Sequence, residues 1–500
     1  MAKFDVVVVG GGLGGLQCAY ALSKEGLNVC LLDKNPRIGG MIQSIARNGV
    51  LFNTGLNYTE SLGEGEILNK YFTYLDIMDK VEFKQLDTQC FEKISFIEDN
   101  TEYEFAQSYP DFIDTLAKKF PEERANIEKY VDELNNVCNS FPYYNLDDEA
   151  IDIDLMESYT KMNTYEFIKS ITSNTKLQSV LAGTNILHAG DKKTTPLYIH
   201  ALINYSFIRS AWRVIGGGSK IAVTLAKGII AKGGTIKKNK EVIKFIVKDK
   251  KVIAVECSDG EKIEADTFIS NIHPSRTLDL IDKGDIRKAY RNRISSIDNS
   301  IGMFSIYIVL KKNKLKYQNY NNHLFANDNV WNTEYTNWPE NCLYYTQQKN
   351  SKAEYANGIT AITYMKYSEV EKWENTTVEN RGEDYKQFKK EKAEKLIDFI
   401  SSKIPDIRDY IDTYYTSTPL TYRDYTASVN GSAYGAIKDY SFPLKSIIQP
   451  QSKIPNLLFT GQNLNVHGIL GVTIGSILTC SAILGDEYML DKIMNKEKKQ

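Results

Sequence analysis

A chain of 500 residues with 42 % hydrophobic and 25 % charged side chains has the composition of an ordinary globular protein and is too long for a single core. Its 61 basic residues against 63 acidic ones leave a formal charge of −2, so bulk electrostatics make no case for a nucleic-acid partner. Seven scattered cysteines without Cys-x-x-Cys spacing and five histidines without metal-ligand spacing speak against a disulfide framework, a redox dithiol or a metal centre, and for a reducing, cytoplasmic setting.

The chain opens on Phe4-Asp5-Val6-Val7-Val8-Val9, an apolar run that predicts a strand buried on both faces. Gly10, Gly12 and Gly15 follow as G-x-G-x-x-G, with Gly14 inside the motif. The first glycine makes a tight turn, the second lets the backbone approach a pyrophosphate, and the third lets a helix pack close to the strand. The helix over 16–24 would aim its N-terminal amides at that pyrophosphate. A second strand at 29–32 ends at Asp33, 23 residues after Gly10, where a carboxylate can accept hydrogen bonds from a ribose. A glycine-rich turn without a ligand is the competing reading; the full order of strand, turn, helix, strand and acid disfavours it.

The continuation Asp33-Lys34-x-x-Arg37-x-Gly39-Gly40-x-x-x-Ser44 resembles the glycine-pair extension of the two-domain FAD superfamily of amine oxidases and phytoene desaturases. The chain departs from that pattern with Asp33 for the usual Glu, Lys34 for Arg, and Met41 where Arg often stands. The segment 49–58 resembles the stretch that lies beside the flavin ring in phytoene desaturase relatives, with Asn53 in place of an Asp and Asn57 in place of a His. Asn still hydrogen-bonds, but it cannot shuttle a proton at neutral pH.

Residues 85–210 read as mostly helical, from the spacing of Phe112, Ile113, Leu116 and Phe120 and of Ile127, Val131, Leu134 and Val137. Their dense aromatics read mainly as core, with a minority left to line an apolar pocket. Gly216-Gly217-Gly218-Ser219 precedes a helix over 220–232 but lacks the spacing of a second phosphate loop, so no NAD(P) domain is assigned to it. Three strands are expected over 235–247, 252–258 and 262–270. The resemblance implies backbone contacts to adenine near Val242. Residues 280–430 read as an antiparallel sheet with helices, with strands near 303–310, 322–326, 342–347 and 359–365 and an amphipathic helix over 385–403.

A short strand over 454–460 leads into Gly461-Gln462-Asn463 and then His467-Gly468, Gly471-Val472-Thr473 and Gly475-Ser476. The run 466–485 approaches the length of a membrane span, but its glycines, hydroxyls and preceding strand predict a buried helix packed on a sheet. This block is similar to the family's final motif, whose helix N-terminus points at the flavin; Gln462 replaces the usual acid. The final Lys496-Glu497-Lys498-Lys499-Gln500 reads as a solvated tail.

The blocks 4–58, 213–274 and 455–485 look closest to carotenoid isomerases, phytoene desaturases and retinol saturases. The resemblance implies an α/β fold: a Rossmann-like FAD-binding domain with an inserted α+β substrate domain. The expected boundaries are 1–85, 213–280 and 431–495 for the FAD domain and 86–212 and 281–430 for the substrate domain. It implies FAD chemistry on a carbon–carbon double bond of a long hydrophobic polyene, isoprenoid or lipid: saturation, desaturation or cis–trans isomerisation. His467 is the one histidine placed near the flavin and the candidate proton donor, against a competing helix-cap role and against tyrosines of the substrate lobe. NAD(P)H or another carrier is open as electron donor, and a lipid-phase substrate is compatible with peripheral membrane contact, although no amphipathic anchor stands out. An amine-oxidase-like or protoporphyrinogen-oxidase-like flavoenzyme and a non-catalytic escort protein are the alternative readings.

Overall fold

A computed structural model describes residues 3–146 and 152–495, so the C-terminal lysine-rich tail lies outside the described residues. The four valines from Val6 to Val9 are nearly inaccessible to solvent, as a run apolar on both faces requires. Their strand, Phe4–Val9, sits in the middle of a seven-stranded sheet. Val29–Leu32 pairs parallel with it on one side and Lys262–Ser270 on the other. Thr235–Lys237 extends one edge, while Leu457–Phe459 adds parallel to Lys262–Ser270. The helix after the glycine turn runs Leu13–Lys24, starting one turn earlier than the periodicity placed it. It packs on the final long helix, Gly468–Leu484, which only the shorter Asp486–Asn495 follows, through Cys18 and Ser476 and through a hydrogen bond from Gln17 Nε2 to Thr473 Oγ1 of 2.7 Å. That final helix is buried against the sheet as expected. Among the described residues no helix is long and apolar enough to cross a membrane.

The single strand expected over 235–247 is two. Thr235–Lys237 lies at one edge of the sheet order and Val242–Lys248 at the other. Asn239, with φ of 55°, breaks the extended run between them. The chain at 238–241 therefore crosses over the carboxyl ends of the parallel strands, where Lys240 N donates to Asp33 O at 2.8 Å. Crevices at the carboxyl ends of parallel strands are where α/β sheets bind ligands.

A second seven-stranded sheet carries Gly302–Leu310 and Gly358–Met365 near its centre. Residues 85–210 are mostly helical as expected, and the far edge of this sheet adds a hairpin to them. Glu92–Phe96 and Thr101–Phe105 form a hairpin, and Glu92–Phe96 pairs parallel with Asn321–Phe325. The tight turn, with Asn100 at φ of 51°, is short enough to be hidden between longer helical patterns. One face of this sheet is covered by helix Glu383–Ser401 and the other by helices that include Arg124–Asn139 and Leu197–Arg209.

One buried histidine of this second lobe is fully paired. His200 is fully buried, with Nε2 2.8 Å from Tyr130 Oη and Nδ1 3.2 Å from Asn204 Nδ2. A neutral ring satisfies both: Nε2–H donates to the tyrosine and Nδ1 accepts from the amide. Burial drives its pKa down to about 3 from an ordinary 6.5. The unfolded chain therefore binds a proton that the folded chain refuses. Stability should be level above pH 6.5 and fall as pH drops towards 3, by about 1.4 kcal/mol per pH unit from this group. Urea denaturation at stepped pH should show that slope, and His200→Gln should reduce it.

Candidate dinucleotide and substrate site

The glycine turn is closed by contact as well as by conformation. A Cβ on Gly15 would overlap the Gly10 carbonyl oxygen, so helix Leu13–Lys24 sits hard against the strand end. Asn271, at the end of strand Lys262–Ser270, fills the space on the other side. Its Nδ2 donates to Gly10 O at 3.2 Å. A Cβ on Gly12 would lie 2.9 Å from that nitrogen, and one on Gly14 would lie 2.6 Å from Asn271 Oδ1 and 3.0 Å from Gly461 Cα. Three distant segments thus meet at one asparagine, which the sequence reading passed over as part of a strand leading out of the domain.

These segments line one cavity of about 530 Å³. Gly10, Gly12, Gly14, Asp33, Lys34, Gly39, Gly40, Val242, Gly461, Gln462, His467 and Val472 all reach it. Five expected site residues do not. Gly15 and Gly471 are packing positions; a Cβ on Gly471 would lie 2.6 Å from Val466 O. Thr473 is buried against Gln17. Arg37 is exposed. Ser44 is turned to the turn at 217–219: its N donates to Ser219 Oγ at 2.7 Å, and its hydroxyl donates to Asn53 Oδ1 at 2.9 Å. Asn53 Oδ1 also accepts from Gly218 N at 3.0 Å, so that triglycine turn is a structural clasp.

Asp33 is buried, and its carboxylate accepts from Gly11 N and Asn35 N, both at 2.7 Å. Burial raises its pKa and the two amide hydrogen bonds oppose that. Each oxygen keeps a lone pair for a ligand hydroxyl on the cavity side. Lys34 Nζ, by contrast, donates outward to Asp424 O at 3.1 Å.

Away from the glycine turn the cavity passes beneath the second sheet, where Tyr58, Ile203, Phe207, Met303 and Ile362 form an apolar wall. Asn57, also lining it, accepts from Tyr345 Oη at 2.9 Å. His467 stands at the mouth of the final helix. Its Nε2 lies 3.0 Å from Leu187 O and its ring packs on Tyr434 with centroids 4.4 Å apart. Burial holds its pKa near 4, so at neutral pH the ring is uncharged and donates Nε2–H to the carbonyl. Tyr434, Gly435, Gln462 and His467 also face a second chamber of about 470 Å³, forming the partition between the two. Glu60 lines the first cavity too; no motif in the sequence marks it.

Asn271→Ala should lower the free energy of unfolding by about 1–2 kcal/mol, since it removes one hydrogen bond and the filler between two glycine turns. Urea denaturation measures this, and no change would deny Asn271 its joining role.

Comparison with known proteins agrees with this geometry. Residues 8–75 match the model of the NAD(P)-binding Rossmann-like domain. The chain is 27 % identical to the all-trans-retinol 13,14-reductase of Danio rerio over 96 % of its own length and 86 % of that protein. It is 24 % identical to the chloroplastic prolycopene isomerase 2 of an Oncidium hybrid cultivar, over 87 % of the chain and 75 % of the relative. In fold it is similar to putrescine oxidase bound to putrescine, with a TM-score of 0.67 at 13 % identity over 97 % of this chain and all of the other. Over most of its length the chain is thus similar to all-trans-retinol 13,14-reductases and prolycopene isomerases, and it shares its fold with putrescine oxidase.

Proposed function

We propose that the protein is a flavin-dependent oxidoreductase that holds FAD along the first cavity and acts on a carbon–carbon double bond of a long apolar substrate, by saturation, desaturation or isomerisation. The observation that carries this reading is the shape of the cavity. It runs from Asp33 and Val242, past the Gly12–Gly14 turn, to an apolar chamber under the second sheet. Asp33 suits a ribose, the start of helix Leu13–Lys24 suits a pyrophosphate, and the far end is left for the ring. The glycines at 10, 12, 14 and 461 bring bare backbone to the cavity and pack on Asn271 and Ile272, where a Cβ would clash. When bound, the flavin would supply or accept hydride.

The chain's own residues bind, orient and exclude water. Asp33 accepts from the ribose while its two amide bonds fix its rotamer. Gln462 gives a neutral contact. Tyr58, Ile203, Phe207 and Ile362 desolvate the reacting carbons. The final helix, uncapped by any side chain of its own N-cap residue, presents its positive end to the same space. His467 acts as a fixed neutral wall residue, since its one N–H is committed to Leu187. Reduced nicotinamide or another carrier supplies electrons in the reductive direction. Leu444 and Phe442 stand 89 % and 63 % exposed beside Lys445, which supports peripheral contact with a lipid surface from the cytoplasm.

Protein purified as expressed, or titrated with FAD, should show flavin absorption; colourless material that refuses FAD would overturn the reading. Oxidised and reduced holoprotein incubated with polyene and lipid pools should change a product mass by two units, upward for saturation and downward for desaturation, or leave mass unchanged with altered retention for isomerisation. His467→Phe should cost less than about tenfold in kcat. A loss of about a thousandfold with cofactor binding intact would make His467 the proton donor instead.

A further inference from the structure

A buried carboxyl group with no cation beside it stands where the two lobes meet. Glu60 lies on the two-residue strand Thr59–Glu60, paired with Ala211, and is 7 % exposed. It lines the same cavity as the glycine turn. Its Oε1 accepts from Leu470 N at 3.1 Å, in the first turn of the final helix, and its Oε2 accepts from Thr59 Oγ1 at 3.1 Å. Among the described residues no ion pair reaches it. Helix Leu197–Arg209, which packs on its strand, sends Arg209 to Glu66 instead, and helix Gly468–Leu484 has no charged side chain at all. The titratable groups around it are phenols, Tyr58 on its own segment and Tyr144 opposite. Burial keeps both protonated, reinforced at Tyr58 by Glu92 ahead of Glu60 and at Tyr144 by Glu60. His467 at the same helix mouth is tied to Leu187.

The forces on Glu60 oppose one another. Burial favours the neutral acid and raises its pKa, while the amide, the hydroxyl and the helix N-terminus favour the carboxylate. A group so balanced changes state when a charge arrives nearby. The adenosine end of the cavity is marked by Asp33 and the pyrophosphate turn by Gly12 and Gly14, so the opposite end, lined by Glu60, Gly468 and Ile469, faces the ring.

We propose that Glu60 is a redox-linked proton site, taking up a proton when the cofactor is reduced and releasing it as the reducing equivalents leave. This rests on the FAD reading of the cavity. Reduction by a two-electron donor brings two electrons and one proton to the ring, which gains a negative charge. The second proton converts the Glu60 carboxylate to carboxylic acid, so two electrons enter with two protons and the buried site keeps one negative charge throughout. When hydride passes to an alkene carbon, Glu60 gives up its proton, which balances addition of H₂ across the double bond. Glu60 acts in this scheme through the charge balance of the cofactor, as a positioning residue.

The test is the pH dependence of the flavin midpoint potential in the holoprotein, measured by spectroelectrochemistry near neutral pH. Two protons per two electrons give twice the slope of one. Wild type and Glu60→Asp should show the steeper slope, and Glu60→Gln half of it. Equal slopes in wild type and Glu60→Gln, with normal flavin binding, overturn this proposal and leave the function standing. Failure of every form to bind FAD overturns both. Should Glu60→Gln not fold, wild type alone decides. Its reduced-minus-oxidised infrared spectrum should gain a protonated carboxyl band that shifts in D₂O, and absence of that band overturns the assignment.

Discussion

The fold depends on bringing residues about 450 positions apart in the chain into backbone contact, and Asn271 is the group that makes this possible. Its side chain occupies the gap left by Gly10, Gly12, Gly14 and Gly461. A larger group at any of these would push the first strand, the last strand and the first helix apart. The final helix then docks on the first through Gln17, Cys18, Thr473 and Ser476, a seam of small and polar side chains that allows close approach. The cavity exists because the backbone there is stripped of side chains on the side that faces the ligand, while the opposite side is packed solid.

The second lobe supplies what the first cannot. A Rossmann-like sheet offers amides, a carboxylate and a helix end, all suited to a nucleotide, but no apolar chamber. That chamber is made by the second sheet lying over the cavity with its helices behind. Part of its polar interior is tied down by Arg213, which donates to Thr346 O at 3.0 Å and lies over the ring of Tyr345. Fixed buried networks of this kind keep the sheet in one position over the cavity, which a reaction on an unactivated carbon needs more than any strong acid or base.

Much of this was legible in the sequence because it is local. The glycine turn, Asp33 and the glycine pair are set by a chain that must turn within a few residues, and the final helix by an uninterrupted apolar run ending at Gly485. The four valines announce a strand with no exposed face. Where reading failed, a local signal was weak or misleading. The hairpin Glu92–Phe96/Thr101–Phe105 is five residues a side and sits among helical spacing. The run 235–247 has continuous strand-like composition, yet a single positive φ at Asn239 sends its halves to opposite edges of the sheet. Ser44 and Arg37 fit a motif by spacing, but the cavity wall curves away from them.

The sequence by itself determined the class of ligand the first lobe suits, because a dinucleotide turn is built from residues near one another and from glycines that tolerate no substitute. Only the tertiary structure decided which polar groups share the space with it. Glu60 belongs to no motif; its character comes from Leu470, more than four hundred residues away, and from burial that no window of sequence reports. His467 is a proton-donor candidate by residue type; folding sets its Nε2 against Leu187 O of the other lobe, and burial keeps the ring neutral. Chemistry at such a site is set by what long-range folding places beside each group, and that information is not local.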